Sequence, residues 1–235
     1  MIKFCVAAFV AVGLYWASNP TAAQQRSAEP LASSINEIGF LRSVPQLAAR
    51  AYLQLALNLE PKRASEAIAL ANKGLREGVG IARQIVGPDR EGLASLEAYQ
   101  RETEALLMLA AQPADKQRVR DISERADRAT NLASKVVDVA LVRLGGEAPR
   151  AVTSSGLQRT ISLRLAKIEL MHGLGLPISA PEVAQLQNAF TQNLNYLGAS
   201  TLATDRIKAE VALARTQWIF MEKAIQRVTS GPQAQ

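Results

Sequence analysis

SGLQRTISLRLAK, Ser155 to Lys167, decides how this chain is read, because a second, altered copy, IGFLRSVPQLAAR, runs from Ile38 to Arg50. Setting Gly39 on Gly156 places Arg42 on Arg159, Ala49 on Ala166 and Arg50 on Lys167, all at one offset of 117 residues. Four matches at a single spacing predict an internal duplication. Within the second copy, Gly156, Arg159, Leu163, Ala166, Leu170 and Gly173 step by three and four, one continuous helical seam. The first copy repeats the phase with Gly39, Arg42, Gln46, Ala49, Leu53 and Ala56. Each copy therefore turns an arginine inward one turn after a glycine, whose missing side chain leaves room for a neighbouring helix or a small ligand. A buried guanidinium left unpaired costs several kcal/mol, so each must meet a carboxylate, a group of carbonyls or an anion from outside. The spacing leaves these alternatives open.

INEIGFLRS, Ile35 to Ser43, and SSGLQRTISLRLAK, Ser154 to Lys167, resemble the sensory helix of two related families. These are the N-terminal domain of type IV pilus chemotaxis transducers (PilJ-like) and the NarX-like nitrate/nitrite sensor domain. The second copy keeps Gly156, Gln158, Arg159, Ser162, Arg164, Ala166 and Lys167 of the pilus-transducer pattern; the first keeps Ile35, Asn36, Gly39, Leu41 and Arg42 of the nitrate-sensor pattern. The resemblance implies that the arginine after the glycine binds an oxyanion, which maps to Arg42 and Arg159. It also implies a site that draws on Gly39, Gly156, Asn36 and Arg164, in a stand-alone exported form of the module. In the nitrate sensors two subunits each bring one arginine to a shared site; a chain with two copies would build the same clamp internally. This sequence departs from the pattern at Pro45, where a serine is usual, at Leu47, and at Phe40 and Leu157 directly after the two glycines.

Residues 1–23 carry Lys3, an apolar run from Phe4 to Ala17 and Thr21-Ala22-Ala23 before Gln24, the pattern of a secretory signal peptide. The run is short for a spanning helix, which needs about 20 residues. A periplasmic location is expected, an uncleaved membrane anchor being the alternative. The one cysteine, Cys5, lies in this leader, so the mature chain is expected to have no disulfide and no thiolate site. The chain is basic, with 27 Lys and Arg against 21 Asp and Glu. In an exported protein that favours an anionic ligand or surface over nucleic acid.

Helix formers dominate, aromatics are few, and nothing alternates at period two for the length of a strand. The expected fold is all-α: an elongated antiparallel bundle of about seven helices built from the duplicated sensory-helix unit. Expected helices cover about 32–58, 61–87, 89–111, 114–144, 147–174, 179–198 and 201–228, bounded by Pro61, Gly87-Pro88, Pro113, Gly145-Gly146, Gly175-Leu176-Pro177 and Pro181. The organisation follows: a mobile leader at 24–31, a first copy with its connecting helix at 32–146, a second copy at 147–229, and a tail at 230–235. Pro45 should kink the first helix just past Arg42. Gly74, Gly78 and Gly80 should make the second helix the softest. The last helix has the cleanest heptad, Ile207, Val211, Ala214, Trp218, Met221, Ile225 and Val228, with Trp218 and Phe220 expected as core or inter-helix wedges.

Enzyme readings find no support. Glu169 and His172 have the spacing of a di-iron half-site, but such a site needs two pairs and His172 is the only histidine. Gly173 and Gly175 lack the context of a phosphate or dinucleotide loop, and Ser154 and Ser155 have no histidine base nearby. No cofactor and no metal are expected. The sequence points to a non-catalytic, sensor-like ligand-binding module, for a small anion such as nitrate or nitrite, without an output region of its own. It would act through a membrane sensor or transducer protein, and a homodimer is one arrangement. The other reading is a periplasmic helical scaffold with no small ligand.

Overall fold

A computed structural model describes residues 33–229; the expected signal peptide, the leader up to residue 31 and the tail from 230 lie outside them. Among the described residues the protein is all-α, with eight packed helices and no strand. They are α1 (33–40), α2 (Ser43–Ala56), α3 (Pro61–Val86), α4 (Arg90–Ala110), α5 (Val119–Leu144), α6 (Glu147–Gly173), α7 (Ala180–Ala199) and α8 (Asp205–Thr229). A 3-10 turn, Lys116–Arg118, leads into α5. No helix among them is long and apolar enough to cross a membrane.

The count exceeds the expected seven because the first helix is broken, not merely kinked, at Leu41 and Arg42. Pro45 supplies the cause: it has no N–H for the Leu41 carbonyl, and its ring crowds that carbonyl one turn upstream. Tyr99 of α4, fully buried, donates its hydroxyl to the freed Leu41 oxygen at 2.9 Å, and Thr130 of α5 donates to the Arg42 carbonyl at 3.3 Å. In α6 the position 117 residues after Pro45 is Ser162, which keeps its N–H, and that helix runs unbroken.

Two apolar clusters form the interior. The larger gathers α1 to α5, with α2 at its centre and buried on nearly every side from Ser43 to Ala49. The smaller joins α6, α7 and α8 around Ile161, Leu165, Phe190, Leu194 and Trp218. α6 serves both. Its Leu163 and Leu170 pack on the larger cluster, whereas Ile161, Leu165 and Ile168 lie in the smaller one. The single seam expected along α6 is therefore corrected: Ala166 and Leu170 are only half-buried, Gly173 is exposed, and Thr160 and Lys167 between the stripes are buried. A helix wedged between two cores loses the one-sided period that a surface helix shows.

α1 and α2 cross α6 where the stretches 38–50 and 155–167 meet. Positions sharing the 117-residue spacing face one another: the Ser43 and Thr160 hydroxyls hydrogen-bond at 2.8 Å, and a Cβ on Gly156 would lie 3.7 Å from the backbone of Gly39. That is ordinary contact distance, so an alanine would fit.

The tight glycines are elsewhere. A Cβ on Gly74 would come within 2.5 Å of the Phe40 ring, and one on Gly78 within 2.5 Å of Leu41 Cδ2, whereas Gly80 faces open space. Gly74 and Gly78 therefore form the groove in α3 that receives the broken joint, and are not simply soft points. Gly80→Ala should raise stability by about 0.5–1 kcal/mol through helix propensity alone. Gly78→Ala should lower it by about 1–3 kcal/mol, because Leu41 is fully buried and cannot move aside. Paired thermal melts check both signs.

Candidate functional site

Arg42 stands at the break between α1 and α2, a consequence of Pro45 three residues on, and is only 7% exposed. Its Nη2 donates to the Thr153 carbonyl on α6, while its Nε is buried without a partner. Burial draws the guanidinium down from its ordinary value to about 10; Asp138 opposes this, and the like charge of Arg159 reinforces it. Arg159 lies across the crossing, its guanidinium carbon 4.6 Å from the centre of the Phe40 ring. Its Nε donates to Ser43 Oγ at 3.3 Å, and its Nη2 is buried and unsatisfied. Burial lowers this pKa too, against the pull of Glu37. Among the described residues no carboxylate lies within ion-pair distance of either arginine.

Beside Arg42 opens a cleft of about 620 Å³ between α5, α6 and α7. Polar groups reach it from Asp138, Arg150, Ser154, Gln192 and Asn193, and Leu141, Val142, Leu157 and Tyr196 form its apolar wall. Arg159 is not among the residues that line it. Asn193 is held in place by donating to the Ser154 carbonyl at 2.6 Å. With two arginines and one aspartate among its lining residues, the cleft has a positive balance, and Arg42 is the most buried of the three.

Of the other motif residues, Gly39 and Gly156 form the crossing itself, and Asn36 is half-buried on α1. Arg164 belongs to a different group: it lies 2.7 Å from Glu182 and 3.5 Å from Asp127. Lys167, 1% exposed, meets the same Asp127 at 2.7 Å, and Gln46 donates to Asp127 at 2.9 Å. Burial lowers the Lys167 pKa, with Asp127 working against it. Here the charges are met from within the fold.

Asp127, Asp138, Arg150 and Asn193 were not singled out from sequence. Asp127 and Asp138 stand about three helical turns apart and so point the same way from α5. A pair of acids on one face of the helix between two basic motifs was the available signal. No group of three or more histidine, cysteine or acidic side chains suited to a metal occurs among the described residues. No family model, curated protein or solved structure matches this chain.

Proposed function

We propose that this protein is an exported, non-catalytic module that binds a small anion at Arg42 and passes the effect to a partner protein. The finer architecture belongs to the same proposal: two related sensory-helix units, PilJ- or NarX-like, crossing at Gly39 and Gly156. Equivalent residues meeting across that crossing, Ser43 on Thr160 above all, are what two copies related by an approximate two-fold would give. The observation that carries the functional reading is Arg42: buried, lacking a carboxylate in ion-pair distance, and lining an open cleft.

Magnitudes favour help from a second group. Charge-assisted hydrogen bonds contribute about 1.5–3 kcal/mol each, and a millimolar dissociation constant corresponds to about 4 kcal/mol. Two bonds from Arg42 reach roughly the millimolar range, and Arg150 in the same cleft would bring the affinity toward micromolar. The apolar wall leaves room for a substituent, so the ligands to compare are nitrate, nitrite and carboxylates of increasing chain length.

Calorimetry at low salt should detect at least one of these anions. Arg150→Ala should weaken binding about tenfold without affecting the fold, since Arg150 is exposed. Arg42→Met should abolish it. Asp138→Asn should tighten it severalfold, because it removes the carboxylate that competes for Arg42. No heat from any of these anions at about 10 mM, or equal binding by the Arg150 variant, would reject the reading. The scaffold reading would then stand, and one observation favours it: Lys167 and Arg164 already have fixed carboxylates, and Arg159 is held by Phe40 and Ser43.

A further inference from the structure

The cleft beside Arg42 is far larger than a nitrate. Its volume is about 620 Å³, whereas an ion of that size fills little more than one or two waters, each about 30 Å³. Both signs of charge reach into it. Arg42 and Asn193 are anchored on consecutive carbonyls of α6, those of Thr153 and Ser154, and Arg42 Nε is buried without a partner. Asp138 is near enough to hold charge on Arg42 against the effect of burial, yet it makes no ion pair or hydrogen bond among the described residues.

A plain anion leaves this arrangement half used. Its charge would lie beside Asp138, which repels it, and that carboxylate would gain no counter-ion. A ligand with an ammonium next to its carboxylate meets both groups, and in an α-amino acid a single carbon separates the two. The remaining wall of the cleft is apolar. Val142 is 84% exposed and Tyr196 38% exposed, with Leu141 and Leu157 half-buried beside them. Val142 follows Asp138 by one turn on the same face of α5, so a side chain branching from the α-carbon of a ligand held by Asp138 has apolar surface to cover.

We propose that the ligand of this cleft is an α-amino acid with a bulky apolar side chain, its carboxylate on Arg42, its ammonium on Asp138 and its side chain against Val142 and Tyr196. This assignment rests on Arg42 as the anion-binding group proposed above, and makes Asp138 and the apolar wall the groups that choose among anions.

L-Phenylalanine, 3-phenylpropanoate and glycine separate the contributions, because the second lacks only the ammonium and the third only the benzyl group. In calorimetry of the full chain at low salt and near-neutral pH, phenylalanine should bind roughly 10-fold or more tighter than either. Asp138→Asn should shift the two phenyl ligands in opposite directions: phenylalanine weaker by about 10-fold, having lost its counter-ion, and 3-phenylpropanoate tighter by severalfold, freed of a repelling charge. Asp138 is exposed, so the helical circular dichroism should not change. Phenylalanine that binds no tighter than 3-phenylpropanoate, or an Asp138→Asn shift of the same sign for both, overturns the amino-acid assignment and leaves the anion reading in place. Glycine binding as tightly as phenylalanine overturns the role of the apolar wall, and with it the bulky side chain. Phenylalanine binding that survives Arg42→Met unchanged overturns the assignment together with the anion reading. Silence from all three ligands at about 10 mM overturns the assignment alone if nitrate, nitrite or a longer carboxylate still binds, and both if none does.

Discussion

Asp127→Ala should destabilise the protein by about 3–5 kcal/mol, because it strands Lys167 as a buried charge with no counter-ion. For a chain of this length that is a drop of roughly 6–20 °C in Tm. Arg164 keeps Glu182, and Gln46 keeps Thr130 at 2.9 Å, so the loss falls mainly on Lys167. The pH dependence follows from the direction of the Lys167 shift. Its folded pKa lies below the ordinary 10.5, so near that range the unfolded chain binds more protons and stability rises as pH climbs toward 10.5. Without Asp127 the folded pKa falls further, and the rise should begin at lower pH. Adding Lys167→Met to Asp127→Ala should recover most of the loss, since an apolar side chain of similar length is at home there. Chemical denaturation of the four proteins of this cycle checks it; a loss under about 1 kcal/mol, or a double variant as weak as the single, would contradict the assignment.

Trp218→Ala should cost about 3–5 kcal/mol, the usual range for emptying a large aromatic site. Trp218 is 5% exposed and stacks on Phe190 with ring centres 4.0 Å apart, so its loss also removes an aromatic contact contributing about 0.5–1.5 kcal/mol. Phe220→Ala, two residues along, should stay within about 0.5 kcal/mol, because that ring lies mostly in solvent. Equal losses from the two substitutions would mean that Phe220 is covered within the fold.

The helix boundaries were legible because they are written in local chemistry. Pro61, Asp89, Gly145 and the Ser179-Ala180-Pro181-Glu182 cap stand at ends that the fold uses, and Asp89 and Ser179 accept hydrogen bonds from Gly92 and Glu182 as N-caps do. Pro45 announced its own break, but not that Tyr99, more than fifty residues away, would capture the freed carbonyl. What stayed hidden depends on partners far along the chain. Gly74 and Gly78 read as weak helix formers because propensity is a property of one helix, whereas their use is set by Phe40 and Leu41 on another. The seam through α6 was drawn on the assumption of a single core, and the helix has two. Heptad phase turned Arg42 and Arg159 inward, but it could not show the cleft beside Arg42, whose walls come largely from α5 and α7.

The central place of α2 also has a consequence for the order of folding. The chain is made from its N-terminus, and α2 is complete long before its neighbours exist. Arg42 waits 111 residues for Thr153, and Ser43 waits 117 for Thr160. α3, α4 and α5 follow α2 directly and can close around three of its sides as they appear, but its fourth side stays open until α6 is synthesised. Loop closure over such distances slows the final step. A nascent chain stopped at about residue 146 would thus display a helix whose polar and apolar groups both lack their partners, a form suited to capture by a chaperone.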